Sequence, residues 1–196
     1  LYDTAVIAFE EDIKNVLVTN GFINKEPLKQ LLPFIHAANV DLKSFSGEFY
    51  KQLCGAELPP VLETLKMMYK KIHLEITNLI IPQKNDSSDQ IEEMCKWIST
   101  ELGRDVPLHF SRFFPFYKMT DIKPTPIKTL VHAKEIASKY LDYVYIGNVR
   151  VEKGENTYCP KCKKLLIGRT GFGILINKIK NGKCPCGHGI PGVWNL

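Results

Sequence analysis

Short β-branched runs alternate with longer stretches of helical periodicity from residue 2 to residue 146, and this alternation constrains the fold more than any other feature. A helix is expected over 2–12, a strand over 15–19 (NVLVT) closed by Asn20-Gly21, and a helix over 24–36. A strand at 38–43 (ANVDLK) is followed by a helix at 59–71, opened by Pro59-Pro60. The run at 73–81 (HLEITNLII) reads as a strand stopped by Pro82. Asn85-Asp86-Ser87 then caps a helix reaching about residue 101. A strand at 108–113 (LHFSRF), a helix at 127–140 and a fifth strand at 143–146 (YVYI) complete the pattern. Strands joined through helices by short connections must run parallel, with right-handed crossovers. The fold class is therefore α/β, with a barrel or an open sheet.

The tail from residue 151 is of another kind, rich in Gly, Lys and Cys. Residues 1–150 carry 18 Lys/Arg against 19 Asp/Glu, whereas 151–196 carry 8 against 2. So sharp a change of charge predicts two units, 1–150 and 151–196. The basic end could touch nucleic acid or an acidic partner. Offsetting the charge of metal-bound thiolates is the favoured reason for it, and nucleic acid is the disfavoured partner. No apolar run approaches the ~20 residues of a membrane span, so no membrane association is expected. The opening LYDTAVIAFEED lacks the basic start and small-residue cleavage site of a secretory signal. Because it begins with Leu1, it reads as starting inside a longer gene product.

Four of the six cysteines cluster after residue 158. Cys159-Pro-Lys-Cys162 and Cys184-Pro-Cys186 are two close pairs separated by 21 residues. Without a secretory signal, such pairs read as metal ligands, and the expected compartment is the cytosol. Four thiolates suit tetrahedral zinc, which would stabilise a tail too poor in apolar residues to hold a core. An auxiliary iron–sulfur cluster is the rival centre. The tight second pair leaves His188 as a substitute for Cys186. The stretch 172–176 could form a hairpin over the site. Cys54 and Cys95 stand alone and read as half-buried thiols.

Strand side chains alternate between faces. With the apolar set packed on helices, the opposite set places Thr19, Asp41, Lys43, Thr77, His109 and Ser111 toward a common interior. Polar groups turned inward from several strands suggest either a ligand cavity or groups that pair with one another. In parallel barrels, ligands sit at the C-terminal strand ends, where Thr19-Asn20-Gly21, Asp41–Lys43 and Asn78 fall. His36, His73 and His132 read as structural or surface residues.

Taken in order, VTNGF (18–22), ANVDLKSFS (38–46), TNLIIP (77–82) with NDS (85–87), HFSRFFPFYKMTD (109–121), YVYIGNV (143–149), ENTYCPKC (155–162) and IPGVW (190–194) resemble the radical-SAM superfamily. The likeness is to its pyruvate formate-lyase activating enzyme-like members, and among these to AmmeMemoRadiSam-system radical-SAM proteins. It implies a (β/α) barrel of six strands whose first-strand loop, C-x-x-x-C-x-x-C, holds a 4Fe-4S cluster. That cluster chelates S-adenosylmethionine, which yields a 5′-deoxyadenosyl radical that abstracts a substrate hydrogen. Residues 1–196 contain neither the triple-Cys motif nor the Gly-Gly-Glu segment that would hold the methionine amine. The first strand here would match the third of the barrel. The expectation is an open partial barrel with a free edge at 15–19, followed by a zinc-ribbon-like module.

The resemblance places Asn20, Asp41, Lys43, Thr77, His109 and Arg112 beside the cofactor or substrate, and Cys159, Cys162, Cys184 and Cys186 on the metal. Asp41 would accept from ammonium or hydroxyl groups. Lys43 and Arg112 would bind carboxylate, Arg112 through a bidentate fork. Gln83 departs from the glycine that such proteins place after the proline. The implied substrate is unidentified and could be a protein, and the system's associated proteins are candidate partners. The alternative is a non-catalytic module, a degenerate barrel with a zinc ribbon that docks a protein or nucleic acid.

Overall fold

Parallel pairing carries the alternation of the sequence into three dimensions. The structure is a computed structural model and describes residues 1–171 and 173–194. Helix α1 (Tyr2–Glu10) precedes strand β1 (Val16–Thr19), helix α2 (Lys25–Leu31) and strand β2 (Ala37–Asp41). A short helix α3 (Gly47–Phe49) runs on as a wider turn through Tyr50–Cys54 to Gly55, whose left-handed backbone ends it. Helix α4 (Leu58–Met68) starts on Pro59-Pro60 and leads to strand β3 (His73–Ile80). Helix α5 (Ser88–Trp97) is capped by the Ser87 hydroxyl, which accepts from the Gln90 N–H. Strand β4 (Leu108–Arg112), helix α6 (Ile127–Ala137) and strand β5 (Val144–Gly147) complete the unit.

The five strands form one sheet in the order β1-β2-β3-β4-β5, and each neighbouring pair is parallel. One face carries Val40, Leu42, Ile76, Ile80, Leu108, Phe110 and Ile146, all buried against the helices. The sheet is open. Among the described residues β1 pairs only with β2, and Val16 and Val18 are 62% and 77% exposed. At the other edge, the Ile146 N–H donates to the Gly154 carbonyl at 3.1 Å, so the chain's own return caps β5.

After residue 151 the chain forms a three-stranded antiparallel sheet of β6 (Thr157–Tyr158), β7 (Leu165–Thr170) and β8 (Gly173–Asn177). The stretch expected to form a hairpin, 172–176, instead supplies one strand of an antiparallel pair: 173–176 lies within β8, which pairs with β7, and Phe172 lies outside the described residues. Strand β8 does not seal the cysteines, since Ile174 and Leu175 are 60% and 72% exposed. A small core of Tyr143, Cys159, Leu166, Ile167, Cys184 and Ile190 does so instead, and with Tyr145 packed against it this core joins the ribbon to the start of β5.

The phase of β1 corrects the reading of Thr19. Leu17 packs beside Ala5, Leu31 and Ile35, and Thr19 pairs with Val40. Leu17 and Thr19 therefore lie on the helix side, and Val16 and Val18 on the other. The Thr19 hydroxyl accepts from the Gly21 N–H at 3.2 Å instead of facing an interior.

Candidate functional site

The face of the sheet away from the helices is polar at its centre. Asn39, Asp41, Glu75, Thr77 and His109 are brought side by side by the register, with Asp41 opposite Thr77 and Thr77 opposite His109. Thr77 Oγ1 donates to Asn39 Oδ1 at 2.9 Å. Lys43 Nζ meets Asp41 Oδ2 at 2.9 Å, with both side chains about 38% exposed, so the pair is on one side and within reach of a ligand. Ser111 follows His109 at the end of β4.

The loops at these strand ends are held from behind. Gly21 has φ +73°, and a Cβ there would meet Val40 Cγ1 at 2.9 Å, so only glycine lets this turn close after Asn20. Asn20 Oδ1 accepts from the Phe22 N–H at 3.0 Å. Buried Asn85 accepts from the Ile81 N–H and donates to the Lys43 and Leu79 carbonyls, tying the β2 and β3 ends together. Gln83 adopts φ +64°, a conformation that favours glycine, and Asp86 Oδ1 holds its N–H at 2.8 Å. Asn78 is buried on the helix side and donates to the Leu42 carbonyl, so it is a brace rather than a wall of the site.

Arg112 is not brought together with the others. Alternation puts it in phase with Phe110, its Nε donates to the Thr125 carbonyl at 2.8 Å, and its guanidinium lies over the Phe114 ring. Two residues outside the expected set stand at the centre instead. Glu75 Oε1 and Oε2 meet His73 Nε2 at 3.1 Å and His109 Nε2 at 2.8 Å. Burial opposes ionisation of Glu75, but the hydrogen bonds from His109 and His73 outweigh it and hold the carboxyl far below its usual range. Tyr145 stacks on His109 at 5.0 Å between centroids, and burial pushes its phenol up. The pattern His-x-Glu in β3 was the available signal, because i and i+2 share a face.

The four clustered cysteines are gathered into one group that could hold a metal ion. The sulfurs of Cys159, Cys162, Cys184 and Cys186 all lie within 4.8 Å of one another. Cys159 and Cys186 are 3.7 Å apart, and Cys162 and Cys184 are 3.6 Å apart. A tetrahedral ion with metal–sulfur bonds of about 2.3 Å requires sulfur separations of about 3.8 Å, so one ion fits. The Cys186 N–H donates to Cys184 Sγ at 3.4 Å, and the backbone N–H of His188 lowers the Cys186 thiol to about 7. His188 is outside the four-ligand group, and its carbonyl accepts from the Cys184 N–H.

No protein-family profile matches the chain. It is 50% identical over 195 residues to the protein MJ0808 of Methanocaldococcus jannaschii, covering 97% of this chain and 58% of that one. The chain thus spans little more than half the length of this curated relative. Among solved structures, a domain of pyruvate-formate lyase-activating enzyme from Bacteroides vulgatus superposes with a TM-score of 0.65 at 14% identity, over 76% of this chain and 89% of that one. Streptococcus suis SuiB gives 0.59 at 16% identity, over 76% and 36%, and it has also been solved bound to S-adenosylmethionine. A radical SAM methyltransferase from Sphaerobacter thermophilus gives 0.58 at 11% identity, over 70% and 42%. None of the described helices is long and apolar enough to cross a membrane. The parallel five-stranded sheet, with its helices on one side, has the fold of radical-SAM enzymes.

Proposed function

We propose that this chain is the cofactor- and substrate-shaping part of a radical-SAM enzyme of the pyruvate formate-lyase activating enzyme-like kind, with an AmmeMemoRadiSam-system protein as the specific assignment. The cluster-binding segment would be supplied by sequence outside residues 1–196. The observation that carries this reading is the row of polar side chains along the face away from the helices, on a sheet whose fold is that of radical-SAM enzymes.

The residues present suit part of the cofactor and not its redox anchor. Asp41 and Lys43 offer an acceptor and a cation at one strand end, and Asn39 and Thr77 offer a hydroxyl–amide pair beside them. Cys54 and Cys95 are isolated, and Cys95 is buried with its thiol pushed up to about 12, so neither can help to anchor a cluster in the barrel. Bound S-adenosylmethionine would supply the hydrogen-abstracting radical. The chain's own share is to orient it: Asn20, Asp41, Lys43 and Thr77 face its polar groups, while Val16, Val18 and the unpaired β1 edge await a neighbouring strand. Arg112 would have to leave the Thr125 carbonyl to reach a carboxylate.

In the ribbon we assign zinc rather than an auxiliary iron–sulfur cluster. A cube of irons and sulfides would push four thiolates farther apart than a single ion does, and these sulfurs are already at single-ion spacing. The ion is structural, since four protein ligands leave no open position. The protein acts in the cytoplasm on a substrate that the geometry leaves open.

The test is anaerobic reconstitution of the gene product that contains this chain, with iron and sulfide, followed by chromatographic assay of 5′-deoxyadenosine. Reductant-dependent formation, lowered at least tenfold in Asp41→Ala, supports the reading. A reconstituted protein that leaves S-adenosylmethionine intact contradicts it and favours the docking module.

A further inference from the structure

The ribbon supplies one wall of a cavity against the sheet. Between the sheet and the ribbon lies a space of about 260 Å³ lined by Glu75, His109, Tyr145, Glu155, Arg169 and Gly171. Two structural units meet there through a continuous polar line. Tyr145 Oη and Thr157 Oγ1 are 3.0 Å apart, and Arg169 Nη1 donates to the same Thr157 oxygen at 2.8 Å and to the Glu155 carbonyl at 3.1 Å.

The charges in this cavity are unevenly satisfied. Glu75 has an imidazole on each oxygen. The Glu155 carboxylate is turned to the Gly171 N–H at 2.9 Å. Arg169, half-buried on β7, forms no ion pair among the described residues. A partly desolvated guanidinium without a counter-ion is costly, and its planar fork matches a carboxylate. His109 lines the same cavity, with its Nε2 committed to Glu75 at 2.8 Å and its Nδ1 without a hydrogen-bond partner among the described residues.

We propose that sheet and ribbon together form a binding site for a small organic acid, its carboxylate held by Arg169 and its adjoining atoms facing the His109 imidazole. The site is separate from the Asp41–Lys43 strand end and does not rest on the radical-SAM reading. It does rest on the ribbon, since β7 lies between the two cysteine pairs that the metal would join.

The test uses the whole metal-loaded chain and needs no S-adenosylmethionine. Propionate is titrated while the histidine imidazoles are followed by ¹H–¹⁵N correlation spectroscopy, with sodium chloride at equal ionic strength as control. A saturable shift of the His109 signals with propionate and not with chloride supports the site, as does weakening by about tenfold or more in Arg169→Gln, the loss expected for a charge-assisted pair. If Arg169→Gln fails to retain its metal, Arg169→Lys decides, because it keeps the charge and loses the fork. Weaker binding by the lysine variant supports the proposal, and unchanged binding overturns it. Absence of any saturable His109 shift also overturns it, as does equal binding by a metal-retaining Arg169→Gln.

Discussion

Glu75 shows how much one side chain can fix on this face. It bonds to a histidine of its own strand and to one of the next, so it aligns β3 with β4 and orients His109 toward the cavity. Its carboxyl is depressed in the folded state, so its contribution to stability is present above the unfolded pKa of about 4.3 and is lost as the pH falls below it. Glu75→Gln should therefore be less stable than the parent at pH 7, with the gap narrowing below pH ~4, as read by urea unfolding across pH. A constant gap over that range would deny the linkage. Gly21 makes a second prediction at this scale. Gly21→Ala combines a left-handed backbone with a contact to Val40, and it should cost about 1–3 kcal/mol in the same assay. Alternation within β3 put Glu75 on the correct face, but its bond to His109 depends on register between strands, which is a tertiary property. Arg112 was misleading for a related reason: at a strand end, the loop that returns past Thr125 decides where the guanidinium goes.

Among the elements, the strands and long helices were legible because turn signals bracketed each one, and their bounds differ from expectation by only a few residues. Strand β1 was the exception in phase. With four residues alternating Val-Leu-Val-Thr, hydrophobicity cannot tell one face from the other, and Leu17 packing under α1 decides it. That leaves Val18 on an open edge. Val18→Lys should reduce concentration-dependent association in sedimentation velocity while leaving the unfolding midpoint within error, and an unchanged tendency to associate would show that the edge is not sticky. The ribbon was legible from cysteine spacing, although its seal was misread: Tyr143 and Ile190 close it, and the exposed hairpin does not. In the metal-loaded chain, alkylation at pH 8 should reach at most Cys54, with Cys95 buried and four thiols bound. A chelator should add four labelled cysteines by mass spectrometry, and labelling of all four before chelation would refute the metal centre.

For the molecule as a whole, the sequence made the α/β class, the open edge and the four-cysteine cluster of the tail legible, because each follows from local pattern or cysteine spacing. What it could not reveal is that the ribbon packs at β5 and faces the side of the sheet away from the helices. Arg169 and Glu75 are far apart in sequence and meet only through that docking. The chain covers 58% of its relative from Methanocaldococcus jannaschii, so the activity of any complete protein remains with the proposal, while the strand-end geometry can be tested on these residues alone. Titration of the metal-loaded chain with S-adenosylmethionine, followed by backbone amide NMR, is the most direct measurement. The account predicts saturable shifts clustered at Asn20, Asp41–Lys43 and Thr77–Pro82. Shifts confined to the helix side, or none at millimolar ligand, would contradict it.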